Sequence, residues 1–185
     1  MQRHHSSFVI DATPEEIWAA MHPPRPKLPP GDHQVIEHGP VRIEILHPGD
    51  EHGDGLVRHC WFRVPKYLLS GGVGQSWEWV TQTKPNESSR YDAVGKPLWS
   101  CAEGHHWLED LGDGRTRVHF SETYHVFNPV MRFLLEKRVH RFLSKDNDRL
   151  VQAGVEQALA AYRRRSADTA GEPAPSGSGQ VPSPS

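Results

Sequence analysis

Glu122 stands in the run Val118, Phe120, Glu122, Tyr124, Val126, where alternate residues are apolar apart from one carboxylate and one phenol. In a strand these side chains share a face. A carboxylate among apolar neighbours has its pKa pushed upward by desolvation, which suits a general base near neutral pH. The plainer reading pairs Glu122 with an arginine of a following helix, Arg132 or Arg138, or leaves it exposed at a twisted edge. In the preceding run His105 and His106 are adjacent, so only one can share the face of Glu122. Trp107 travels with His105, and Leu108 with His106. A histidine beside Glu122 makes an acid–base pair able to take a proton next to a carbonyl; otherwise it is a half-buried, hydrogen-bonded histidine. The candidate catalytic set is Glu122, His106 and Tyr124.

Planar side chains are the second signal. Trp77, Trp79, Trp99, Trp107 and Tyr91 fall on the central runs, either as a stacking wall for a flat ligand or as core. Candidate ligand contacts are Trp77, Trp79, Tyr91, Trp107 and Phe120, with Leu135 and Val139 from the helix beyond. Histidines recur at 59, 105, 106, 119 and 125, but His119 and His125 lie on the face opposite Glu122, and no zinc spacing is present. No metal and no other cofactor is expected. A Cys60–Cys101 disulfide is not expected either: with two strands between theirs, three spacings of about 4.8 Å exceed the roughly 7 Å limit.

The elements that must hold these residues follow from pattern. His5 to Ala12 reads as a strand, and Thr13-Pro14-Glu15-Glu16 as a capping box opening a short helix through Met21. Pro23 to Gly31 is a polyproline-like connection, favoured over a ligand for a proline-reading module. Val35–His47, Leu56–Val64, Gln75–Thr83, Arg90–Val94, Cys101–Leu111 and Thr116–Phe127 then read as strands. The last two form a hairpin about Asp113-Gly114. Short connections imply an antiparallel meander.

Asn128 caps and Pro129 starts a long helix reaching about Arg165, with Leu135, Val139, Phe142, Leu143, Val151, Val155 and Leu159 at helical spacing. A polar turn, Ser144–Asp148, interrupts this stripe as either a kink or the cap of a second helix. Arg132, Lys137, Arg138, His140 and Arg141 give its first half a basic face. That face is either solvated or available for transient contact with a membrane or an anionic partner.

The chain has 185 residues and a formal net charge of -2, which gives no global attraction to nucleic acid. Two cysteines, no apolar run of membrane length and no basic-then-apolar N-terminus point to a cytoplasmic protein. Residues 1–165 read as one domain, and 166–185, rich in Pro, Ser and Gly, as a disordered tail. Oligomeric state is not legible.

Strand, short helix, meander and long helix make an α+β architecture whose interior can be a pocket. Three stretches, SSFVIDATPEEIWAAM, SWEWVTQTKPNESSRY and HHWLEDLGDGRTRVHF, resemble the START-like superfamily in its polyketide cyclase/dehydrase and lipid-transport branch. The resemblance implies a helix-grip fold, a curved sheet of about seven strands wrapped around the C-terminal helix. Many members have a second short helix where this chain has its Pro-rich loop. The resemblance also implies a small hydrophobic or aromatic ligand between sheet and helix. Two functions follow: a cyclase or dehydratase acting on a poly-carbonyl substrate, or a carrier or sensor of a lipid-like molecule without chemistry.

Overall fold

A computed structural model describes residues 1–24, 29 and 31–170. Much of the Pro-rich connection and the tail from 171 onward lie outside the described residues. The chain runs β1 (Gln2–Ile10), α1 (Pro14–Met21), β2 (Gln34–His38), β3 (Val41–Pro48), β4 (Leu56–Arg63), β5 (Val73–Lys84), β6 (Ser88–Lys96), β7 (Ser100–Asp110), β8 (Thr116–Val126), α2 (Pro129–Met131) and α3 (Lys137–Ala170). The strands form one eight-stranded sheet in the order β1-β8-β7-β6-β5-β4-β3-β2, every pair antiparallel. The meander is as expected, with one more strand. The Val35–His47 run splits into β2 and β3 because Gly39, at φ 55, turns the chain back on itself.

Local chemistry sets the ends of the helices. At α1 the Thr13 hydroxyl accepts from the Glu16 N–H while the Glu16 carboxylate accepts from the Thr13 N–H, each at 3.3 Å. This is the capping box read from the sequence. The Asn128 side chain accepts from the Val130 and Met131 N–H groups at 3.0 and 3.1 Å, opening α2. A π-helical stretch, Arg132–Glu136, joins α2 to α3. There Glu136 is turned into the protein, where it accepts the Val126 N–H at 2.9 Å and the Gln2 side-chain amide at 3.1 Å. One carboxylate thus ties the end of β8 and the start of β1 to the helix. Helix α3 then runs unbroken through Ser144–Asp148 and past Arg165. The polar turn is not the cap of a second helix.

Two apolar clusters hold α3 against the concave side of the sheet. Ile10, Ala12, Ile17, Ala20, Val118, Val155 and Leu159 pack at one end. Tyr124, Val126 and Val139 pack at the other with Leu68, Leu98, Ala102, Leu135 and Leu143. His140, read as part of a basic surface, is instead buried, its ring stacked 5.9 Å from that of Tyr124. Among the described residues no helix is long and apolar enough to cross a membrane.

Cross-strand register decides what the concave face carries. Tyr91 of β6 stands opposite Gly104 of β7, and Gly104 opposite Glu122 of β8. A Cβ on Gly104 would overlap the Tyr91 ring and hydroxyl, so only glycine lets the phenol lie flat across β7 toward Glu122. Gly104→Ala is expected to displace Tyr91 and cost about 1–3 kcal/mol in chemical denaturation. A loss below about 0.5 kcal/mol would show that the ring is not confined there.

Candidate functional site

Every second residue of β8 from Thr116 to Val126 is buried, so Glu122 enters the interior together with Val118, Phe120, Tyr124 and Val126. Its partner is neither Arg132 nor Arg138. The Asn147 amide donates to Glu122 Oε2 at 2.8 Å. Asn147 sits one turn beyond Leu143 on the inward stripe of α3, which is the physical reason for the polar interruption. Within the same turn Asp148 reaches His4 at 2.7 Å and Ser144 approaches His140 at 3.4 Å. Burial, reinforced by the charge of Glu78 and only partly opposed by Asn147, raises the Glu122 carboxyl to about 7. Arg132 instead donates to the Val126 and Phe127 carbonyls.

His106 pairs with Phe120 across β7 and β8, which puts it on the Glu122 face, and His105 points the other way. The His106 ring lies 4.7 Å from that of Phe120 and 6.1 Å from that of Tyr91. Burial, with Arg58 nearby, lowers its pKa to about 4, so at neutral pH it is an uncharged imidazole. Its Nδ1 has no partner among the described residues. Tyr91 lies on the same floor. Burial, with the charges of Glu122 and Glu78, holds its hydroxyl well above the ordinary phenol range, so it serves as a donor and not as an anion.

Arg58 and Glu78 complete the floor and are absent from the sequence reading. They stand directly opposite each other on β4 and β5. Both Arg58 Nε and Nη2 lie 2.7 Å from Glu78 Oε2, while Ser76 donates to Oε1 at 2.6 Å. Burial alone would raise Glu78, but Arg58 outweighs it, and the carboxylate stays below its usual range. The same surroundings push the Cys60 thiol up to about 12. Arg58 also sits 5.5 Å from the centre of the Tyr91 ring. Although ringed by protein, the pair is reached by solvent, at 28% exposure for Arg58 and 14% for Glu78. The floor therefore meets solvent at this ion pair.

This register corrects the tryptophan wall. Ser76, Glu78 and Val80 face inward, so Trp77 and Trp79 face outward, and Trp107, beside inward His106, does too. On the convex surface Trp77 stacks on His59 at 4.4 Å, and Trp107 stacks on His119 at 4.6 Å. Trp79 is more than a third exposed. The sequence reading placed them together on one face; it is the wrong face for a ligand between sheet and helix. Of the other expected contacts, Tyr91 and Phe120 are on the floor, Val139 lines a small cavity, and Leu135 packs beside it. That cavity, bounded by Phe62, Leu68, Leu98, Tyr124, Val139 and Leu143, has a volume of ≈ 30 Å³. It has room for a water-sized group, far below the ~300 Å³ of a typical ligand pocket. Burial raises the Tyr124 pKa despite its hydrogen bond with Ser100, so its hydroxyl stays protonated at this cavity.

No protein-family model and no curated protein matches the chain. Solved structures do. TTHA0849 from Thermus thermophilus aligns at TM-score 0.60 and 15% identity, covering 86% of this chain and 98% of that one. The Zhui aromatase/cyclase from Streptomyces sp. R1128 aligns at TM-score 0.56 and 14% identity over 89% and 94%. A START superfamily protein from Mycobacterium smegmatis aligns at TM-score 0.53 and 13% identity over 84% and 97%. The fold is helix-grip, the START-like arrangement. In this helix-grip chain the concave floor presents a poised carboxyl, a neutral imidazole, a phenol donor and a fixed guanidinium on a single face.

A raised carboxyl has a stability consequence. Glu122 stays protonated in the folded protein up to about 7, whereas unfolded it ionises near its ordinary value of 4.5. Its contribution is therefore intact below 4.5 and is lost as pH rises through 7. Glu122→Gln keeps an acceptor for Asn147 without the charge. It is expected to match the parent near pH 4 and to exceed it by about 1–3 kcal/mol near pH 8 in urea unfolding. A variant less stable than the parent at both values would contradict the assignment.

Proposed function

We infer that the protein binds a small ring-bearing carbonyl compound on the concave floor and moves a proton next to the carbonyl, as an aldol-type cyclase or dehydratase does. The reading rests on one observation: Glu122, with a pKa of about 7, shares an inward face with neutral His106 and protonated Tyr91. A carboxyl at that value is partly ionised at neutral pH and still basic enough to accept a proton from carbon. Tyr91 would donate to the developing enolate oxygen, and Arg58, fixed by Glu78, would add positive charge without giving up a proton. The carboxyl of Glu122, having taken the proton, would return it to the hydroxyl that leaves as water, and neutral His106 would hydrogen-bond that hydroxyl. No cofactor is called for in this scheme. The aromatase/cyclase likeness supports the class of reaction only through the shared fold.

The second reading, a carrier or sensor of a lipid-like molecule, draws on the apolar cavity beneath Leu68 and Leu98, which would have to widen to take a chain. Cys60 and Cys101 are both unpaired, consistent with work in a reducing compartment such as the cytoplasm.

β-Tetralone, a bicyclic ketone with exchangeable protons beside its carbonyl, separates the two. The parent protein is expected to accelerate deuterium exchange over buffer, followed by proton NMR. Glu122→Gln should lower the rate about a hundredfold or more, to the buffer value, and Tyr91→Phe should lower it less. Saturable binding of the ketone with no exchange above buffer would favour the carrier. Equal exchange by parent and Glu122→Gln would remove Glu122 from the chemistry.

A further inference from the structure

Three segments meet at the end of the sheet where α3 begins: the β4–β5 connection, the β6–β7 turn and the β8–α3 junction. Leu68, Leu98 and Leu135, one from each, pack in a single cluster. The Phe127 N–H also donates to the Trp99 carbonyl at 3.0 Å. From this shared base large apolar side chains point outward. Leu69 is 94% exposed, Phe133 89% and Trp99 60%, with Tyr67, Val130 and Leu134 each more than half exposed. Isolated exposed apolar residues are ordinary, but a cluster of this size on one tip marks a contact surface.

The charge around the tip identifies the partner. Across residues 63–75, 94–102 and 127–145 the one acidic residue is Glu136, which is buried and hydrogen-bonded inward. The same segments carry Arg63, Lys66, Lys96, Lys137, Arg138 and Arg141. All of these except half-buried Lys96 are exposed. In a chain of formal net charge -2, this is a strong local excess of positive charge. Protruding apolar side chains within a basic collar complement an anionic lipid surface: the apolar groups enter the acyl boundary and the cations stay at the headgroups.

We propose that this tip docks the protein reversibly on anionic membranes, with Leu69, Trp99 and Phe133 inserted and Lys66, Lys137, Arg138 and Arg141 at the headgroups. The small cavity lies directly beneath, lined by Leu68, Lys96, Leu98, Val139 and Leu143. Docking would bring Leu68 and Leu98, which line it, close to the lipid, and the proposal holds whether or not the polar floor is catalytic.

Co-sedimentation with vesicles of phosphatidylcholine alone, or carrying phosphatidylglycerol, tests it. The full chain is expected to bind the anionic vesicles and to be released by salt. A Lys137→Gln, Arg138→Gln double variant should bind on the order of thirtyfold more weakly. Leu69→Ser with Phe133→Ser should abolish insertion with unchanged thermal unfolding, because both side chains are solvent-exposed. Brominated lipid should quench the parent more than Trp99→Phe. Absence of binding to anionic vesicles, salt-independent binding, or double variants that bind like the parent would each overturn the proposal. So would sedimentation velocity showing a dimer that Leu69→Ser with Phe133→Ser dissolves while vesicles stay unbound, since the tip would then be a face between copies.

Discussion

Burial of one face of β8 is the constraint from which the site follows. Its alternate residues from Thr116 to Val126 are sealed between β1, β7 and the helix above, so whatever occupies the middle of the series is taken out of water. The residue there is a glutamate whose one hydrogen-bond partner among the described residues is neutral. A neutral partner cannot offset the desolvation of a carboxylate, so its proton stays on to near neutrality. Had the partner been Arg132 or Arg138, the same glutamate would be a permanent anion with no capacity to gain or lose a proton near pH 7.

The floor contains both solutions to the problem of buried charge, side by side. Glu78 faces the same interior and stays ionised because Arg58 meets it across the strands and Ser76 supplies a further hydrogen bond. Glu122 lacks such a partner and holds its proton. His106 meets the same burial from the other sign and is driven neutral. Buried carboxyl and buried imidazole have opposite demands on pH: the first favours the folded state under acid conditions, the second above its unfolded value of about 6.5. Their effects oppose each other between, so the floor can carry titratable groups without a steep dependence of stability in mildly acid solution.

The fold was legible because its signals are local. The capping box at Thr13–Glu16, the Gly112–Gly114 hairpin and the Asn128-Pro129 start each specify one junction, and the long stripe from Leu135 to Leu159 requires a sheet to lie against. Glu122 was legible for the same reason, as a lone carboxylate in an apolar alternation. What escaped depended on which face of a strand was concave. Trp77 and Trp79 alternate with Ser76, Glu78 and Val80, and periodicity alone does not say which set points inward. Size and hydrophobicity favoured the tryptophans. The deciding fact is the register that runs from buried Glu122 through Gly104 and Tyr91 to Val80, a chain of long-range pairings that no local pattern carries. The Ser144–Asp148 interruption held the other missed signal: a polar turn on an inward stripe is where a helix meets a buried polar group, and there Asn147 meets Glu122.

The claim that carries the functional account is that Glu122 exchanges its proton near neutral pH. Carbon-detected NMR titration of the glutamate side-chain carboxyls, with the Glu122→Gln spectrum to assign the missing signal, measures this without a ligand. The account predicts one carboxyl with its midpoint at about 7, as burial of Glu122 requires. A Glu122 midpoint in the ordinary carboxylate range, near about 4.3, would show that water or an unseen cation reaches it, and the proposed base would be lost.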